Sequence, residues 1–242
     1  MSTAFLPADR PEAFASSAIV VGRHRDELIR ALIAEGFSAE VVLEPREAID
    51  QSRRLGPDVV VLDLVEASIR SMELCRTIAG ASNAHLIVCS DAHTESDRIA
   101  LLVVGADAVL PLSTSPREIV AHAMVGQRRR QSTSHLTAVV DEDEERRCLG
   151  WLELDLLRRS VRIDGAGVEL TRIEFDLLET LTARPGIVWT RQALMRKIWG
   201  PNWFGAENVL DTHMSHLRRK IDRPDRASLI ATVRGVGYRF VH

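Results

Sequence analysis

Apolar residues fall in short runs along the first half of the chain, at Ala18–Val21, Ala39–Leu43, Val59–Leu62, Leu86–Cys89 and Ala108–Leu110. Runs of this length, bounded by polar and turn residues, read as strands buried on both faces. Between them lie amphipathic stretches at 26–35, 46–55, 70–80, 94–104 and 116–127, where the apolar positions keep helical spacing. Five strands alternating with five helices predict a doubly wound, five-stranded parallel sheet of the flavodoxin-like class. Ligands of such sheets bind beyond the carboxyl ends of the strands. That rule singles out Gly22-Arg23, Asp63, Ser90-Asp91 and Pro111-Leu112. The first of these ends runs into a basic cluster, Arg23, His24 and Arg25.

The pattern then breaks. Residues 128–148, "RRRQSTSHLTAVVDEDEERRC", join a basic cluster, a Ser/Thr stretch and an acidic run without amphipathic period, and read as a linker. Beyond it come short strand-like pieces, "WLELDLLRRSVRID" and "GVEL". Thr171-Arg172-Ile173-Glu174 has the form of a capping box, and its helix carries Phe175, Leu178 and Leu181 on one face and stops before Pro185-Gly186. Thr190 is placed to cap a second helix, "RQALMRKIW". A third helix, over 207–221, repeats Leu210, Met214, Leu217 and Ile221 at core spacing. "LIATVRGVGYRFV" folds as two short strands about Arg234-Gly235-Val236-Gly237. Three helices and a hairpin make a winged helix-turn-helix, an α+β unit. The expected organisation is an extension at 1–16, a first domain at 17–127, a linker at 128–148 and a winged helix at 149–242.

Charge sharpens this division. Residues 1–148 hold 16 Arg and no Lys against 23 Asp and Glu, for a net of -7; residues 149–242 hold 13 Arg and 2 Lys against 11, for +4. A polyanion is therefore expected to meet the second domain. The third helix supports this, because its core stripe leaves Asn208, Thr212, Ser215, His216 and Arg219 facing out, short donors and acceptors suited to base edges in a major groove. No apolar run approaches membrane-spanning length, and the first residues lack the form of a secretion signal, so a cytoplasmic protein without membrane contact is expected. Cys75, Cys89 and Cys148 lack metal-ligand spacing. No phosphate-cradling Gly-rich loop and no nucleophile with a base in register is present, so neither an enzyme nor a cofactor is expected.

"PDVVVLDL", "GADAVLPLSTSPREI", "ELTRIEFDLLETL", "LDTHMSHLRRKI" and "TVRGVGYRF" together resemble the OmpR/PhoB family of two-component response regulators, over nearly the whole chain. The resemblance makes 17–127 a receiver and Asp63 its phosphoacceptor. It places the hydroxyl that grips the phosphoryl group at Ser90. It also exposes losses: the acidic pair that holds magnesium falls on Gly22 and Arg23, and the lysine falls on Leu112. No alignment restores that lysine, since the chain's lysines are Lys197 and Lys220. One carboxylate beside a guanidinium is a poor site for a hard cation that needs several oxygens. The expectation is a degenerate pocket without metal or magnesium-dependent phosphorylation, in which Arg23 either pairs with Asp63 or points into water. Two alternatives stay open: a working receiver phosphorylated on Asp63, and a receiver that senses an anion at its basic cluster.

The resemblance further implies a homodimer through Arg98, Asp107 and Glu118, with His122 and Met124 standing where the common pattern has arginines. It implies phosphate contacts from Trp199, His213, Arg218 and Tyr238, and minor-groove entry by Arg234, with Thr232 beside it on the hairpin. Trp203 and Phe204 fall in the loop that contacts RNA polymerase in the family; they are either such an anchor or core. A double-stranded DNA partner follows, while the cognate kinase, the operator and the direction of regulation stay open.

Overall fold

The parallel strands of the first domain are β1 (Ser16–Val21), β2 (Phe37–Val42), β3 (Val59–Leu64), β4 (His85–Ser90) and β5 (Ala108–Leu110), in the order β2-β1-β3-β4-β5. The computed structural model describes residues 16–22, 25–64, 68–91, 94–134, 146–200 and 208–241. Helices α1 (Asp26–Ala34), α2 (Pro45–Leu55), α3 (Ile69–Ala81), α4 (Glu95–Val103) and α5 (Pro116–Ser134) cover both faces. Local chemistry sets their ends. Pro45 opens α2, whose missing amide hydrogen costs nothing in a first turn, and Gly56 stops it in the left-handed conformation at φ 53°. A reciprocal capping box between Thr94 and Asp97 starts α4.

Two expected boundaries move. Ser16 and Ser17 join β1 because they pair with Phe37 and Ser38 of β2, although neither is apolar. Helix α5 continues to Ser134, through the basic cluster that composition assigns to a linker. Its last residues, "QRRRQSTS", contain neither Gly nor Pro, so nothing ends the helix at 127. Residues 135–145, the middle of that linker, and residues 1–15 of the expected extension lie outside the described residues.

The second domain opens with an antiparallel sheet of β6 (Arg146–Leu149), β7 (Leu152–Asp155), β8 (Ser160–Ile163) and β9 (Ala166–Val168). Then follow α6 (Arg172–Thr182), β10 (Trp189–Thr190), α7 (Arg191–Trp199), α8 (Asn208–Ile221), β11 (Ile230–Val233) and β12 (Gly237–Phe240). The Thr171–Glu174 box and the Thr190 cap form as the sequence predicts. Strand β10 is an addition that two residues could not announce. It pairs with β12, so the wing is a three-stranded sheet ordered β10-β12-β11. Gly237 permits this closeness, since a Cβ there would lie 2.0 Å from the Trp189 carbonyl oxygen.

One apolar layer lies between the receiver sheet and α1 and α5, built on Leu28, Leu32, Phe37, Ile87 and Ile119. The layer on the other face, with Ala48, Cys75, Ile78 and Leu101, runs on without a break into the winged-helix core of Phe175, Leu178, Leu210 and Met214. The two domains are therefore packed against each other through α4 and α8. Among the described residues, no helix is long and apolar enough to cross a membrane.

Candidate functional site

Gly22 and Asp63 face each other at the carboxyl ends of β1 and β3, the point where strand order reverses. Gly22 sits at φ 154°, and a Cβ on it would lie 2.4 Å from Asp63 Oδ2. The Asp63 carboxylate thus leans into the space that a side chain at position 22 would fill. It is held there by Arg25; Arg23, expected to pair with it or point into water, lies outside the described residues along with His24. Arg25 Nε donates to Oδ2 at 2.7 Å and Nη2 to Oδ1 at 2.6 Å, a fork-to-fork pair with both side chains largely buried. Hydrogen bonding to Asp63 raises the pKa of the Arg25 guanidinium. Beneath the pair, burial pushes the Cys89 thiol up to about 11, leaving it neutral.

The remaining pocket residues do not complete a metal site. Ser90 ends β4, buried, with no hydrogen-bond partner for its Oγ among the described residues. Leu112 packs its side chain into the α1/α5 layer, and its backbone N–H donates to Asp91 Oδ1 at 3.2 Å. Asp91 is thereby turned to β5's exit. A magnesium ion, which the resemblance would require, asks for several free oxygens. Both Asp63 oxygens accept from Arg25, and position 22 offers no side chain, so the described donor set does not fit that ion. Among the described residues, no group of three His, Cys, Asp or Glu side chains is placed to hold a metal.

The expected dimer face is divided. Arg98 and Glu118 are exposed, and His122 and Met124 are half-buried. Burial lowers the His122 pKa. Asp107 is buried at the junction of the two domains. Its carboxylate accepts the Leu86 backbone N–H at 2.8 Å, lies 3.3 Å from His85 Nδ1, and takes the Arg172 guanidinium from the start of α6. Arg172 also donates to Asp176 at 2.6 Å. Burial pushes the Asp107 carboxyl up, but Arg172 and His85 outweigh it and hold it well below the ordinary range. Arg172 escaped sequence reasoning because, inside a capping box, it reads as a solvated helix residue.

On α8, Asn208, Ser215 and Arg219 are exposed and Thr212 and His216 half-buried, the face that periodicity predicts. Burial lowers the His216 pKa, as do Arg219 on its own helix and Arg76 across on α3. Arg234 is exposed at the wing turn, beside Gly235 at φ 71°. The four residues expected at phosphates are otherwise engaged. His213 is 1% exposed, its Nε2 3.1 Å from the Leu102 carbonyl of α4, and burial lowers its pKa to about 4. Trp199 is buried next to it, ring centroids 5.8 Å apart. Arg218 donates to the Ile230 carbonyl and to Thr232 Oγ1, and the Tyr238 hydroxyl donates to Asp211. These four side chains serve the domain junction and the wing in this arrangement. Trp203 and Phe204 lie outside the described residues.

Comparison with known proteins agrees with this architecture. Residues 165–240 match the family model described as "Transcriptional regulatory protein, C terminal". The chain is 35% identical over 208 residues to the transcriptional regulatory protein YclJ of Bacillus subtilis, covering 85% of this chain and 89% of that one. It is 34% identical over 218 residues to response regulator MprA of Mycolicibacterium vanbaalenii, covering 88% and 91%. Against the DNA-binding response regulator MtrA of Mycolicibacterium smegmatis it is 30% identical over 209 residues, covering 86% and 88%. Among solved structures, a point mutant of RitR superposes with a TM-score of 0.75 at 20% identity, over 93% of this chain and 99% of that one, a likeness of fold. The chain belongs to the OmpR/PhoB-type response regulators, DNA-binding transcription regulators that join a receiver to a winged helix.

Proposed function

We propose that this regulator binds double-stranded DNA through α8 and the wing, and that its receiver governs binding by docking on the winged helix, without magnesium-dependent phosphorylation. The observation that carries the receiver half of this reading is the bidentate Arg25–Asp63 pair. Phosphoryl transfer to a carboxylate needs a free oxygen as nucleophile and a cation to neutralise the oxygens in flight. Here the nucleophile is already neutralised, by a group that is always charged. The pair supplies in permanent form the positive charge that metal and lysine would bring. The same pairing argues against an anion sensor at Arg25, because the Nε–Nη2 edge of its fork and its charge are already given to Asp63.

The DNA half rests on the exposed Asn208, Ser215 and Arg219 of α8, and on Arg234 at the wing tip. Phosphate contacts position such a protein and base contacts specify the sequence. The docked receiver covers His213, so a phosphate contact by that side chain and receiver docking exclude each other. A homodimer using Asp107 requires undocking first, because that carboxylate is held by Arg172. RNA polymerase and a kinase remain proposed partners, the former through Trp203 and Phe204.

Selection of duplexes from a random pool by the full chain tests the DNA reading. Enrichment of one sequence, with affinity that falls steeply as salt rises, is the expected result. No enrichment would remove it.

A phosphorylation-competent receiver is the second reading. The buried Oγ of Ser90, at the carboxyl end of the neighbouring strand and without a hydrogen-bond partner among the described residues, favours it.

A further inference from the structure

The side of α8 turned toward the wing carries Asp211 and Arg218, two helical turns apart, and both reach the wing. Arg218 holds β11, through the Ile230 carbonyl at 2.6 and 3.0 Å and Thr232 Oγ1 at 2.8 Å. Asp211 holds β12, accepting the Tyr238 hydroxyl at 2.6 Å. The same Asp211 oxygen accepts from Nε of Arg191, the first residue of α7, at 3.2 Å. The Arg191 and Arg218 guanidinium carbons lie 5.3 and 5.5 Å from the Tyr238 ring centroid, so the ring is bracketed by two cations and one carboxylate. Asp211 thus joins three elements, α7, α8 and β12.

An acid at this place works against the proposed function. The Asp211 side chain is 48% exposed, on the helix that would enter a groove lined with phosphates. Coulomb repulsion from a polyanion makes it a liability unless it returns something else. What it returns is geometry. A hairpin of four residue pairs, widened by two more from β10, has little rigidity of its own. Ile230, Tyr238 and Phe240 seat it in the core shared with α8, side-chain ties set the register of its tip, and Asp211 provides the tie to the strand that follows Arg234 and Gly235.

We propose that Asp211 is a positioning residue for sequence recognition. By holding Tyr238 and Arg191 it fixes the wing tip at Arg234 relative to the outward face of α8, so that both reach their grooves in register. This rests on the DNA-binding reading above.

The test uses the full chain, Asp211→Asn, and two probes: the duplex that wild type enriches from a random pool, and the same bases scrambled. The Asn variant keeps the shape and loses the charge that holds Tyr238 and Arg191. If Asp211 acts only as a charge, its removal strengthens binding to both duplexes alike. If it positions the wing, the selected-to-scrambled affinity ratio falls about tenfold, the scale of one charge-assisted hydrogen bond, while scrambled binding holds or rises. That split also separates positioning from misfolding, which would lower both. Tyr238→Phe should reproduce the loss, and the double variant should be no worse than either single one.

A second readout needs no DNA. Tyr238 is the chain's sole tyrosine, so its phenol can be followed by absorbance alone. Burial and Asp211 raise its pKa to about 12, and Asp211→Asn should move ionisation to lower pH. A ratio unchanged within about twofold, or an unmoved phenol titration, overturns the proposal. Failure of wild type to enrich any duplex is a separate result: it overturns the DNA-binding reading, and the proposal with it.

Discussion

Replacing Arg172 by Met removes the group that lets Asp107 be buried. In the docked arrangement the Asp107 side chain is 2% exposed and the Arg172 side chain 10%, and the guanidinium meets both carboxylate oxygens. With Met in place, docking would bury a carboxylate left with the Leu86 N–H and His85 alone. Removing one partner of a buried ion pair costs about 3–5 kcal/mol, because an uncompensated charge is left behind. In the undocked protein Asp107 returns to water and the substitution costs little. The penalty therefore falls on docking itself, as a shift of roughly two to three and a half orders of magnitude at about 1.4 kcal/mol per tenfold. Small-angle scattering of the Arg172→Met protein should show a longer, two-lobed particle, and the amides at the end of α4 should exchange faster. Its DNA affinity should rise as the competing surface is withdrawn. An unchanged scattering profile with unchanged α4 exchange would refute the reasoning.

Two further outcomes follow from the same groups. Arg25→Met should lower receiver stability by about 1–3 kcal/mol in denaturant unfolding, since it leaves Asp63 partly buried without its charge-assisted partner; an unaltered midpoint would mean the pair is idle. Docking should also weaken in acid. Burial lowers the His213 pKa from 6.5 to about 4, so the docked state holds the neutral ring and binds fewer protons than the open one. The contribution is whole above 6.5 and is lost as pH falls from there toward 4. Between pH 7.5 and 5.5 the His213 contribution should lower the docking equilibrium about tenfold, and in His213→Gln only the smaller dependence carried by His216 should remain.

Much of this molecule was legible in the residues. Val59–Leu62 and Leu86–Cys89 are apolar throughout, and a strand covered on both faces leaves that signature without any knowledge of its neighbours. Leu210, Met214 and Leu217 define α8 because helix period alone places them on one side. The site was legible only as far as it depends on strand ends: Gly22, Asp63 and Ser90 lie where the carboxyl-end rule puts them. Which arginine reaches Asp63 was not. Arg23 and Arg25 are equivalent in composition, and that Arg25 reaches Asp63 from the start of α1 is a placement composition does not carry. The domain junction was illegible for a different reason. Arg172 and Asp107 stand 65 positions apart, and each alone resembles a solvated surface charge. His213 likewise carries nothing that tells a donor for phosphate from a donor for the Leu102 carbonyl. Pairings made across an interface leave no periodicity in either partner.

Incubating the purified protein with acetyl phosphate and magnesium, then measuring its intact mass, tests the occupied pocket most directly. With Arg25 seated on both oxygens of Asp63, no phosphoryl adduct should form, whatever the magnesium concentration. A stoichiometric adduct that maps to Asp63 would contradict the account.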